Sequence, residues 1–133
     1  MNIILEAKKL GFPLGEYVIV GSGILGALGL RESRDLDVAV SEKLLKELRA
    51  SGKWKEETRY NNRLFLVSDG VDVITQLDWE NYATTTQEAI DSALIIDGVP
   101  FLNIEEIIKF KTAVGREKDL KDIELLKKYV EEN

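Results

Sequence analysis

Val20-Gly21-Ser22-Gly23-Ile24-Leu25-Gly26, followed shortly by Arg31-Glu32-Ser33-Arg34-Asp35-Leu36-Asp37-Val38-Ala39-Val40, is the stretch on which the fold turns. Tyr17 to Val20 is a compact apolar run closed by glycine and reads as a buried strand, with Ser22 to Leu30 a short helix behind it. Asp35 to Val40 is rich in β-branched residues and partly alternating, so it reads as a second strand. Side chains two apart on a strand share a face, so Asp35 and Asp37 project together. An isolated Asp-x-Asp also suits a solvated outer strand. Two neighbouring features favour chemistry. Gly21-Ser22 stands at a helix start, where free backbone N–H groups and the helix dipole hold a phosphate. Asp72 lies within the apolar run Val71-Asp72-Val73-Ile74, where an acid is costly unless it is paired or binds a cation. Asp35, Asp37 and Asp72 are therefore expected to converge.

Outward from this stretch, Ile3, Ile4, Ala7 and Leu10 mark a short amphipathic helix ending at the Gly11 to Gly15 turn. Ser41 is placed to cap a helix with Leu44, Leu45 and Leu48 on one face. Trp54 to Thr58, Leu64 to Val67 and Val71 to Thr75, separated by Asn61-Asn62 and Asp69-Gly70, read as an antiparallel meander. Ala93 to Ile96 reads as a brief strand, and Asp97-Gly98 turns the chain back through Pro100. Asn103 and Glu106 form a capping-box-like pair for a helix carrying Ile107, Ile108 and Lys111. Asp119 is expected to open a last helix with Leu120, Ile123, Leu125 or Leu126, and Val130 at helical spacing.

The chain has 133 residues, 44% of them apolar, enough for one domain with its own core. It has no Cys, which excludes disulfides and thiolate metal sites and makes a cytoplasmic location the default expectation. It has no His either, so acid/base and metal chemistry fall to carboxylates, which suit magnesium rather than zinc. A net charge of -6 argues against a surface that coats nucleic acid and leaves only a local basic patch for that purpose. The apolar start, Met1 to Leu5, is too short for a signal peptide or a membrane span.

Gly21-Ser22 followed by Arg31-Glu32-Ser33-Arg34-Asp35-Leu36-Asp37 resembles the signature of the DNA polymerase β-like nucleotidyltransferase superfamily. It is similar in particular to the small abortive-infection-type, AbiEii-like branch. Lys111-Thr112-Ala113-Val114-Gly115-Arg116-Glu117-Lys118-Asp119, with Asp122 beyond, resembles that branch's closing pattern, so the likeness runs from Val20 to Leu126. The resemblance implies an α/β (mixed α+β) minimal nucleotidyltransferase fold, with a twisted mixed sheet, helices largely on one face and the acids at one open edge. It implies two magnesium ions held by Asp35 and Asp37, with Asp72 helping to hold one or accepting the acceptor's proton. The donor would be a nucleoside triphosphate such as ATP. Gly21 and Ser22 would touch its phosphates, and Arg31, Lys111 and Arg116 would contact phosphate or pyrophosphate. The acceptor is left open among a small molecule such as an aminoglycoside, RNA, as in a toxin–antitoxin role, and a protein hydroxyl.

Each cation also has a plainer use. Lys111 and Arg116 complement a helix carboxyl end, Asp119 caps the next helix, and Lys118 with Asp122 makes a surface pair. Arg31 and Arg34 are ordinary solvated loop residues unless the resemblance holds. Trp54, Tyr60, Trp79 and Tyr82 receive no role, because such aromatics pack more often than they bind. Arg59-Tyr60-Asn61-Asn62-Arg63 reads as a hairpin tip. Two rival readings stand. Gly21-Ser22-Gly23-Ile24-Leu25-Gly26 matches the dinucleotide-binding pattern of a Rossmann-like module. A catalytically inactive member of the same fold would instead serve as a partner for another protein.

Overall fold

The computed structural model describes residues 1–133. A seven-stranded mixed sheet runs through it in the order β3-β4-β5-β2-β1-β7-β6. The central strands are β1 (Tyr17–Val20) and β2 (Leu36–Val40), which pair antiparallel. All four residues of β1 are buried, as are four of the five in β2, which is why both read as apolar runs without full alternation. Between them Gly23–Ala27 forms a one-turn helix, α2, after α1 at Ile3–Lys9. Asn2 caps α1 by accepting from the Leu5 N–H, and Ile3 and Ala7, four apart, put its apolar side into the core. Ser41 accepts from the Leu44 N–H to start α3 (Glu42–Ser51).

The meander is present as expected. The strands β3 (Lys55–Arg59), β4 (Arg63–Ser68) and β5 (Val71–Ile74) pair antiparallel in sequence, and β5 then joins β2 in parallel. Asp69-Gly70 and Asp97-Gly98 both have positive φ at both positions, the backbone that closes a two-residue hairpin with matching twist. The second of these joins β6 (Leu94–Ile96) to β7 (Val99–Phe101). β3 is an outer strand of Lys, Glu, Thr and Arg, a composition that discourages pairing with another chain.

The fold departs from the sequence pattern in several places. The pattern shows only a return past a turn at Val99 to Phe101, yet Ile19 pairs with Phe101 and the Leu102 N–H donates to the Ile19 carbonyl, making β7 parallel to β1. Pro100 hid it, since proline signals breakage while donating nothing to a ladder. A short helix, α4 (Thr86–Asp91), went unread, its start marked by Thr85 accepting from the Glu88 N–H. The last helix, α6 (Glu117–Glu132), opens at Arg116 rather than Asp119; it packs against α5 (Ile104–Val114). Asp119 is its third residue, accepting from the Arg116 backbone N–H at 3.2 Å. Leu120 and Val130, expected on the packed side, are exposed, and Ile123 and Leu126 are buried. The acids, finally, do not lie at an outer strand but at the strand ends in the middle of the sheet. No helix is long and apolar enough to cross a membrane.

The antiparallel pairing of β1 with β2 also removes the dinucleotide module. That module needs a strand, a crossover helix and a parallel strand, whereas α2 has only five residues and β2 returns beside β1 in the opposite sense.

Candidate active site

Register places the acids. Val20 on β1 pairs with Asp37 on β2, Asp37 pairs with Asp72 on β5, and Asp72 pairs with Val67 on β4, so one row crosses four strands. Partners in register point to the same face of a sheet, which sets the carboxyls of Asp37 and Asp72 side by side. Asp35 directly precedes β2, is exposed, and adds its negative field from two residues upstream. Burial first, then the charges of Asp72 and Asp35, push the Asp37 carboxyl up to about 6, and Arg59 pulls the other way.

Gly21 explains how Asp37 fits. A Cβ at position 21 would stand 2.9 Å from Asp37 Oδ2, and the residue adopts φ +67°, which favours glycine on its own account. The turn at the end of β1 thus closes onto the carboxylate with nothing between backbone and acid. Gly26 serves the same loop, because a Cβ there would collide with the Ser33 hydroxyl, itself buried and donating to the Ser22 carbonyl at 3.3 Å.

Arg59, at the end of β3, donates to Asp72 Oδ2 at 3.0 Å and to Glu57 at 2.5 Å, with its guanidinium 5.0 Å over the Phe65 ring. One cation therefore serves Asp72 and Glu57, while no hydrogen-bonding cation reaches Asp37. No group of three or more acids stands close enough together to hold a metal ion. Asp35, Asp37 and Asp72 accordingly occupy one neighbourhood without forming a three-carboxylate cage. Magnesium does not need one, since it is commonly held by one or two carboxylates plus substrate phosphates and water. The Asp37–Asp72 pair fits that mode: hard oxygen donors, a shortfall of positive charge, and an open backbone beside them at Gly21.

The residues read as phosphate contacts are mostly engaged elsewhere. Lys111 on α5 is 3% exposed and spends its three donors on Ser22 Oγ at 3.1 Å, Asp119 Oδ1 at 3.3 Å and Asp122 Oδ2 at 2.9 Å. Arg31 grips Asp122 with two parallel bonds, Nε at 2.7 Å and Nη2 at 2.8 Å. Arg116 binds Asp119 through Nε at 2.7 Å. Asp122 is therefore no surface partner of Lys118 but the buried centre of a cluster joining the β1–α2 turn, the Arg31 loop, α5 and α6. Burial works to raise its pKa, but the bonds from Arg31 and Lys111 outweigh that and hold it down to about 2. This cluster fastens the helical pair behind the Gly21-Ser22 turn, with Lys111 bonded to Ser22 directly and Arg31 reaching it through Asp122.

Asp37, Gly21 and Ser22 line one cleft of about 1050 Å³. Its walls also carry Arg34, Arg59, Arg63, Arg116, Lys118 and Lys121, and the aromatic rings of Tyr60, Phe65, Trp79, Tyr82 and Phe110. Arg34, Lys118 and Lys121 have no carboxylate within ion-pair distance. Most of these lining residues were not expected there. The run Arg59-Tyr60-Asn61-Asn62-Arg63 interleaves basic and aromatic residues, a signal outweighed by its turn composition, and Lys118 and Lys121 sit three apart on one side of α6.

The comparisons bear on this arrangement. The chain superposes on the crystal structure of ANT(2'')-Ia, an aminoglycoside nucleotidyltransferase, in complex with adenylyl-2''-tobramycin, with a TM-score of 0.58 at 17% identity. The two chains share a fold. The match covers 97% of this chain and 86% of the other. Comparison with family models gives no match. Comparison with curated proteins gives none either.

Proposed function

We propose that the chain moves a nucleoside monophosphate from a nucleoside triphosphate to a hydroxyl acceptor in the cleft at Asp37 and Asp72. The observation that carries this reading is the in-register carboxylate pair, short of positive charge and closed on one side by the side-chain-free turn at Gly21. The shared fold with a nucleotidyltransferase supports it, as does the likeness of the Arg31 to Asp37 run and the closing segment to the abortive-infection-type branch. Asp37 and Asp72, with Asp35 nearby, would hold magnesium, which supplies charge neutralisation to the triphosphate during in-line displacement. The turn at Gly21 and Ser22 orients the phosphates through its backbone N–H groups. The acceptor oxygen then bonds to the α-phosphorus as the bond to pyrophosphate breaks. Asp72, once released by Arg59, takes the hydroxyl proton.

The cleft walls bear on the acceptor. Beside its acids the cleft is lined by Arg34, Lys118 and Lys121, which have no carboxylate within ion-pair distance and favour a neutral or anionic acceptor over a polycationic aminoglycoside. The chain would then differ in acceptor from its structural neighbour. The test supplies each nucleoside triphosphate labelled at the α-phosphate, with magnesium, to tobramycin, transfer RNA and a nucleoside monophosphate. Label should pass to an anionic acceptor with release of pyrophosphate, and the Asp37→Asn variant should lose it. Transfer persisting in that variant would overturn the assignment of the acid pair, and preferential labelling of tobramycin would overturn the acceptor class. Failure to label any acceptor, in a protein that also binds no triphosphate, would favour the inactive, partner-binding reading.

A further inference from the structure

We infer that Tyr60 and Trp79, braced by Arg63, form the subsite for the nucleobase of the bound nucleotide, and this inference rests on the function proposed above. Tyr60 opens the three-residue turn between Arg59 and Arg63, whose residues Tyr60, Asn61 and Asn62 have φ of 47°, 64° and 63°. Left-handed backbone is unfavourable for residues with a side chain, and three in succession mark a tip whose shape is held by its surroundings. The tip leaves an aromatic ring 63% exposed in the wall of the same cleft that contains Asp37 and Gly21. That ring is not idle packing. Its centroid lies 5.8 Å from Trp79 at an interplanar angle of 83° and 6.0 Å from Phe65 at 56°, edge and tilted contacts rather than face-to-face stacks.

Trp79 is fixed from behind. Its N–H donates to the Tyr82 carbonyl at 2.9 Å and its carbonyl accepts from the Tyr82 N–H at 3.0 Å, while the Tyr82 hydroxyl donates to Glu106 at 2.9 Å. Arg63 lies 5.3 Å over the indole and donates to the Asp78 carbonyl at 2.6 Å. Arg116, bonded to Asp119 through Nε at 2.7 Å at the start of α6, lines the same cleft. A rigid aromatic pair flanked by guanidinium groups suits a planar heterocycle, which stacks on such rings whatever its hydrogen-bonding pattern. Arg59 bonds Asp72 at 3.0 Å and directly precedes Tyr60 in the chain, so the ring follows the acids' own cation along a wall of the cleft that also holds Gly21 and Ser22.

The experiment is calorimetric titration of ATP and, separately, inorganic tripolyphosphate, each with magnesium, into wild type, Tyr60→Ala and Tyr60→Phe. The Tyr60→Ala variant should bind ATP roughly tenfold or more weakly. The Tyr60→Phe variant should bind it as wild type does, and tripolyphosphate should bind all three alike. Equal ATP affinity in Tyr60→Ala, or a parallel loss of tripolyphosphate, overturns the subsite while leaving the transferase reading intact. Wild type that binds no triphosphate overturns both.

Discussion

Ser22 stands between two sets of charges that meet opposite fates. On one side the buried Lys111, Asp119 and Asp122 and the more exposed Arg31 are matched, donor to acceptor, with no buried side-chain polar atom left without a partner. On the other, Asp37 and Asp72 lie in register with Asp35 nearby, and their single close cation, Arg59, binds Asp72 and Glu57 but not Asp37. The same residue types give a pKa held down to about 2 at Asp122 and pushed up to about 6 at Asp37. A satisfied cluster fixes structure. Asp37 has no such partner, and on the function proposed above that shortfall is what would draw a cation.

Substitutions should separate the two sets of charges, beginning at the matched cluster. The Lys111→Met variant leaves buried Asp119 and Asp122 with only Arg116 and Arg31 as cations, and chemical denaturation should show a loss of about 3–5 kcal/mol. A loss no larger than that of a surface pair would mean the cluster is not holding the helices. The Asp37→Asn variant should act in the opposite direction. Because the folded chain raises the Asp37 pKa from 3.8 to about 6, the ionised acid weakens the native state fully above pH 6, and protonation relieves that as pH falls towards 4. The variant should therefore be more stable than wild type at pH 7, by up to about 3 kcal/mol, with the gap closing between pH 6 and pH 4. Asp122 has the reverse sign: its contribution is present above 3.8 and is lost as pH falls through about 2. Denaturation curves at stepped pH read both.

Smaller effects follow. The Arg31→Lys variant keeps a charge but loses the two-bond grip on Asp122, a cost of roughly 1 kcal/mol by the same measurement. The Arg49→Ala variant removes an ion pair to Glu56 whose side chains are each about half exposed, and it should change stability by less than about 1 kcal/mol. If Arg49 mattered as much as Lys111, burial would not be what distinguishes the pairs.

Much of this was legible in the chain because it is local. The strands around Gly21 and Asp37, the Ser41 cap, the meander and its Asp-Gly turns follow from period, capping and turn chemistry within a few residues. So did the neighbourhood of Asp37 and Asp72, since an acid in an apolar strand needs a reason. What stayed hidden depends on distance. Nothing near Asp122 in sequence shows that Arg31, 91 positions away, and Lys111 on another helix close over it. The parallel pairing of β7 is a long-range event, and Pro100 pointed away from it. Tyr60 and Arg63 carried a turn's composition, and only the tertiary fold brings that turn into the cleft.

The proposed function requires that the Asp37–Asp72 pair take a cation together with the triphosphate. Isothermal titration of ATP into wild type and the Asp37→Asn variant at pH 7, each with magnesium and with magnesium chelated, tests it most directly. The account predicts binding in wild type that requires magnesium and is abolished in the variant, although the variant is the more stable protein. Equal binding in both proteins, or binding indifferent to magnesium, would contradict it.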